Sequence, residues 1–209
     1  RRAALAALAQ STFLAGRPDE ARAALAEAHR VPRPRGDDGS APIAFAVDSL
    51  VVLADGDAAR AAELAREAVA RDGAHVGVAR IALGCAALHR GDVRVGVVEL
   101  ERAVDEVVPQ GASLWRAYAL LHLARADQAR GARRDARRRL EAARRILAAH
   151  RETGIVGALG ADTAQRLVAR RPGPQPGAEL TESELRVLRL YELGLSRAQV
   201  ASELFVTTN

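Results

Sequence analysis

Glycine returns at Gly16, Gly56, Gly91 and Gly131, at intervals of 40, 35 and 40 residues, and the same side-chain pattern follows each time. Five residues on stands a small residue, Ala21, Ala61, Gly96 or Ala136. Nine on comes Leu25, Ala65, Leu100 or Leu140, and twelve on comes Ala28, Ala68, Ala103 or Ala143. These offsets keep to one face of a helix of about 3.6 residues per turn, so each glycine introduces a helix with a small, close-packing inner face. A second apolar helical stretch precedes each glycine, at 3–15, 43–54, 76–89 and 114–128. Glycine between two helices can take the left-handed conformation that ends the first without a Cβ penalty. The chain reads as a row of helical hairpins, and an all-α fold follows.

A repeat of this length and arrangement resembles the tetratricopeptide (TPR) repeat, whose glycine and two alanine positions these residues match. The match is better in the second helices than in the first, where Asp48, Arg80 and Asp127 stand at or beside positions that family fills with apolar or aromatic residues. The resemblance implies a TPR-like solenoid over 1–170 with a concave surface for a peptide, protein or small ligand. An irregular helical bundle is the alternative. The long first interval contains residues 31–42, with three glycines or prolines among 32–36, and is expected to be a mobile loop.

With 49% apolar residues, a 209-residue chain has enough to bury a core. All 31 basic residues are Arg, and Met is absent, so Arg1 is not expected to be a native start and the sequence reads as an internal fragment. No apolar run approaches the roughly eighteen residues that span a bilayer, and no signal-like core follows Arg1 and Arg2. The expectation is a cytoplasmic protein with no membrane partner.

Chemistry-bearing residues are sparse. Cys85 has no partner for a disulfide and lies among Ile81, Leu83 and Leu88, as a small core residue would. His29, His75, His89, His122 and His150 are far apart, with no Cys or carboxylate at metal-ligand spacing. Without Lys, the Gly-Lys-Ser/Thr phosphate loop cannot occur here. No nucleophile with an attendant base is visible, so neither an enzyme nor a cofactor is expected in this chain.

Arg130, Arg133, Arg134, Arg137, Arg138, Arg139, Arg144, Arg145 and Arg151 form the strongest charge run, against Asp135, Glu141 and Glu152. An inner face persists through it at Ala136, Leu140, Ala143 and Leu147, which assigns the arginines to the solvent face of the fourth repeat. No aromatic residue is interleaved for base stacking. Beside plain solvation stands an auxiliary contact to phosphate or a partner, and phosphate contact alone carries no sequence information.

After an amphipathic stretch at 154–170, residues 171–178 hold three prolines and two glycines, and a linker is expected there. Thr181 and Glu184 then have the spacing of a capping box, as do Ser196 and Gln199. Gly194 separates the two predicted helices, with Leu185, Leu188 and Tyr191 in the first, Val200, Ala201 and Leu204 in the second, and Val206 closing a small core. Leu180, Thr181, Glu184, Val187, Leu188, Gly194, Ser196, Val200, Ala201, Leu204, Val206 and Thr207 together resemble the first half of a LuxR-type helix-turn-helix domain. Ser183 stands where that family commonly has Arg, and Thr207 where it has Ser.

That resemblance makes 182–193 the scaffold helix and 197–204 the first helix of the motif, with Thr207 capping a recognition helix that would follow. In such motifs the first helix crosses the phosphate backbone and the recognition helix enters the major groove. It assigns candidate DNA contacts to Ser196, Arg197, Thr207, Thr208 and Asn209. For Ser196 and Arg197, phosphate binding and simple capping with solvent exposure fit equally well. Between 178 and 209, five glutamates against three arginines leave a net charge of minus two. Phosphate neutralisation supplies most nonspecific affinity, so these residues alone are not expected to bind DNA specifically.

The order of repeats, linker and LuxR-type segment (179–209) resembles the C-terminal part of large MalT-like transcriptional regulators. That resemblance implies DNA as partner through the complete domain, a small-molecule inducer or protein on the repeats, and homo-oligomerisation. Any nucleotide-hydrolysing domain would lie before Arg1. A TPR-like interaction scaffold with no DNA-binding role is the alternative.

Overall fold

The computed structural model describes residues 1–32, 41–71, 75–107 and 113–168, together with Leu185 and Leu190. By its internal contacts the chain divides into two units, Arg1–Ala169 and Arg170–Asn209. The described residues are helical, without strands. In the first unit they form α1 (Arg2–Leu14), α2 (Pro18–Arg30), α3 (Ala41–Ala54), α4 (Ala58–Ala70), α5 (Val76–His89), α6 (Val93–Glu106), α7 (Ser113–Ala129), α8 (Arg133–Leu147) and α9 (Gly154–Val168). Leu185 and Leu190, in the second unit, are also helical.

Each repeating glycine ends an odd-numbered helix. Gly16, Gly56, Gly91 and Gly131 have φ of 81, 93, 82 and 83°. The residue after each donates its N–H back to the carbonyl five positions earlier: Arg17 to Thr12, Asp57 to Val52, Asp92 to Ala87 and Ala132 to Asp127, at 2.8–3.3 Å. This six-to-one bond is the Schellman closure, which satisfies carbonyls a helix end would leave open and turns the chain sharply. The next helix starts at once. Asp57 accepts from the Arg60 N–H at 2.9 Å and Asp92 from the Val95 N–H at 3.2 Å, while Pro18 occupies the first helical position of α2.

The residues at the three repeat offsets are all buried, from Ala21, Leu25 and Ala28 through Ala136, Leu140 and Ala143. They seat each even-numbered helix on its partner, giving the pairs α1–α2, α3–α4, α5–α6 and α7–α8. The even helices keep their other side in solvent. By contrast α3, α5 and α7 are buried on several sides, because each also packs on the odd helices before and after it. The core is therefore one continuous cluster running from Ala6 in α1 to Val156 in α9.

The row curls until α1 touches α9. Phe13, near the end of α1, stacks on Trp115 in the first turn of α7 with ring centroids 6.0 Å apart, and both meet Tyr118 edge-on. Where α9 begins, Gly154 has a φ of 45°, and a β-carbon there would overlap the Leu14 carbonyl. Aromatic burial at the seam and a residue without a side chain at the tightest approach bring the two ends together.

The polar residues that depart from the TPR pattern are accommodated by neighbours. Asp48 faces His29 across 3.3 Å. Arg80 reaches Glu106 at 2.9 Å and Glu99 at 2.8 Å, bracing α5 on α6. Asp127 has a fully buried side chain set between Arg130 at 2.6 Å and Arg139 at 2.7 Å. Helix α3 also starts two residues earlier than its apolar pattern, at Ala41, with Pro42 in the first turn, where a missing N–H costs nothing. The rest of the expected loop, 33–40, lies outside the described residues.

Candidate functional site

Two groups of polar side chains in the first unit stand apart from the hairpin scaffold. The first is a stripe along α7. Trp115, Tyr118, His122 and Arg125 follow one another at steps of three, four and three, so they lie on one face and point toward the interior of the curl. Cys85 and His89 of α5 and Asp162 and Thr163 of α9 border them. Arg125 donates from Nε to the Thr163 hydroxyl at 3.1 Å and forms an ion pair with Asp162, tying α7 to α9.

Burial governs the titration of this stripe. It lowers the pKa of His122 to about 3, with the positive charges of Arg125 and His89 acting in the same direction. Burial also pushes up the thiol of Cys85 and the phenol of Tyr118. At neutral pH all three are uncharged, so the thiol is not a thiolate, and an imidazole titrating near 3 is a weak proton acceptor. The His89 Nδ1–H donates to the Cys85 carbonyl at 3.1 Å. Two enclosed nitrogens, Trp115 Nε1 and His122 Nε2, have no hydrogen-bond partner among the described residues. The stripe is a packed aromatic and polar seam, and its chemistry at neutral pH is hydrogen bonding.

Of the remaining histidines, His29 faces Asp48, and His150 joins two helix ends. His150 donates from Nδ1 to the Ile146 carbonyl at 3.0 Å and accepts from the Ser113 hydroxyl at 2.9 Å, joining the end of α8 to the start of α7. Among the described residues no group of three His, Cys, Asp or Glu is arranged to hold a metal ion. No helix among them is long and apolar enough to cross a membrane.

The second group is the outer face of α8. Ala136, Leu140 and Ala143 are buried, Leu147 is partly so, and Arg133, Arg134, Arg137, Arg138, Arg144 and Arg145 are exposed. Arg139 departs from the expected solvent face. Its side chain is 14% exposed and bridges Asp127 of α7 and Glu101 of α6, both at 2.7 Å. The reason is angular: at 100° per residue, position 139 falls about 40° from Ala143, at the edge of the buried face. The Asp127 contact is too bent for a hydrogen bond, so the attraction is ionic. Arg138 pairs with Asp135 and Arg144 with Glu141, both at 3.0 Å. Arg133, Arg134, Arg137 and Arg145 have no acidic partner among the described residues.

The sequence-derived DNA contacts, Ser196, Arg197, Thr207, Thr208 and Asn209, lie outside the described residues. So do both capping boxes of that segment and the linker at 171–178. The ties through Arg125, Arg139 and His150 escape sequence reasoning because each joins helices through partners 37 or 38 positions away in the chain, apart from the nearer Asp127. Comparison with protein-family models, curated proteins and solved structures finds no match.

Proposed function

We propose that the chain belongs to a DNA-binding transcriptional regulator of the LuxR-type, MalT-like kind. Residues 1–170 serve as a TPR-like module that senses an inducer or protein partner and supports self-association, and 179–209 contribute to a helix-turn-helix. The observation that carries this reading is the spacing at the end of the chain. Two capping boxes, Thr181 with Glu184 and Ser196 with Gln199, flank Gly194, and Val206 and Thr207 follow at the position of the turn. Helical hairpins closed by Schellman glycines support the repeat assignment.

The test is selection from a random duplex DNA pool by the full-length gene product. A recurrent motif is expected, and it should disappear when residues 179 onward are deleted. If no motif is enriched while the hairpin unit co-purifies with a defined protein, the interaction-scaffold reading replaces this one. The net charge of minus two between 178 and 209 is the feature that favours that rival.

A further inference from the structure

The charge of this chain is concentrated in one place. Its formal net charge is +5, from 31 basic and 26 acidic residues. Helix α8 carries seven arginines against two carboxylates, Asp135 and Glu141, which by itself leaves +5. The rest of the chain is balanced, with 24 of each sign by subtraction. Elsewhere in the first unit, Arg22 sits beside Asp19 and Asp55 and Arg60 beside Glu63, while exposed arginines without an acidic partner among the described residues, such as Arg30, Arg66, Arg90 and Arg94, are spread over different helices and turns. On α8 the four exposed arginines 133, 134, 137 and 145 lack such partners among the described residues.

We infer that the outer face of α8 is a docking surface for the phosphate backbone of duplex DNA. Arg133, Arg134, Arg137 and Arg145 fall within an arc of roughly 120° on the side of the helix away from Ala143, at 100° per residue. Guanidinium groups are permanently charged and fork-shaped, matching phosphate oxygens in pairs. Acids on this face are already engaged, Glu141 by Arg144 and Asp135 by Arg138. The face carries no aromatic residue, so it lacks the stacking platform that single strands use. It also lacks the exposed large apolar side chains with which a basic amphipathic helix enters a membrane surface. What remains is contact with phosphate, which is independent of base sequence.

The choice of DNA among polyanions rests on the regulator reading. In that setting α8 supplies phosphate affinity that residues 178–209, at minus two, lack.

The experiment measures binding of the 209-residue chain to a labelled 20-base-pair duplex by fluorescence anisotropy across salt concentrations. Four phosphate contacts give a log–log salt slope near −3.6, about a hundredfold loss of affinity between 50 and 200 mM salt. Binding should be equal for unrelated duplexes. The variant carrying Arg133→Gln, Arg134→Gln, Arg137→Gln and Arg145→Gln should melt like the parent, since no ion pair is removed, and should lose the binding together with the slope. No binding by the parent at low salt, an unchanged slope in the variant, or capture only by an acidic peptide or by anionic lipid vesicles would each overturn the inference. Those results leave the motif selection by the full-length protein untouched. A failed selection beside an intact α8 effect would sink the regulator reading alone.

Discussion

His122 shows how one side chain ties stability to pH. In an unfolded chain its imidazole titrates near 6.5. In the fold, burial first and the charges of Arg125 and His89 second lower that value to about 3. Between these limits the unfolded chain takes up a proton that the folded chain refuses. The contribution is fully present above about pH 6.5, declines by up to ~1.4 kcal/mol per pH unit as pH falls, and is exhausted near pH 3. His122→Gln removes the titration. Urea unfolding of both proteins between pH 6 and 4 should give a stability slope shallower in the variant by close to one proton. Parallel slopes would mean that His122 is protonated in the fold. Asp162, whose pKa Arg166 and Arg125 hold down, adds a slope of the same sign to both proteins, so the comparison between them isolates the histidine.

At the scale of elements, the contact of α5 with α6 has a glycine on each helix, Gly84 and Gly96. The position five residues after the glycine is Ala in three hairpins and Gly96 in the third. A β-carbon on Gly96 would stand 2.7 Å from Leu88 Cγ and 3.0 Å from the Gly84 carbonyl, and one on Gly84 would stand 2.7 Å from Leu100 Cγ. The two glycines face each other and set the spacing. Gly96→Ala gains up to about 1 kcal/mol of helix propensity but forces a well-packed contact apart, costing about 1–3 kcal/mol. A net loss of roughly 1 kcal/mol is expected by denaturant titration, even though Ala is the residue its sister hairpins carry. Stabilisation would show that Leu88 yields freely.

This level was also the most legible one. Glycine turns and the buried offsets follow from spacing alone, and the boundaries of the hairpin helices to within two residues, because each depends on residues within about one hairpin. The fates of Asp48, Arg80 and Asp127 were not legible. Their partners, His29, Glu99, Glu106 and Arg139, lie on other helices, and polarity at an expected apolar site does not reveal a carboxylate or guanidinium waiting across the contact. Of the candidate sites, the exposure of most of the arginine face could be read from its apolar complement. Arg139 could not, because a residue at the edge of the buried arc turns either way according to what its neighbour offers.

For the hairpin unit as a whole, the governing feature is that α1 meets α9, a contact between residues about 140 positions apart. Local periodicity carries no signal for it. Curvature accumulates from small rotations between successive hairpins, and only their sum decides whether the ends touch. The seam depends on Gly154, where an alanine would need a positive φ, costing about 1–2 kcal/mol, and would also drive its β-carbon into the Leu14 carbonyl, a backbone atom with little freedom to move. Gly154→Ala should therefore loosen the closure while leaving the four hairpins intact. The single tryptophan reports on it directly: Trp115 is 1% exposed and stacked on Phe13, so opening should red-shift its emission and raise its acrylamide quenching, with helical circular dichroism nearly unchanged. Amide exchange should rise at the C-terminal end of α1 and the first turn of α9 before it rises in α3 to α6. An unshifted spectrum with parental quenching would show that the aromatic contact, and not the bare glycine, holds the curl shut.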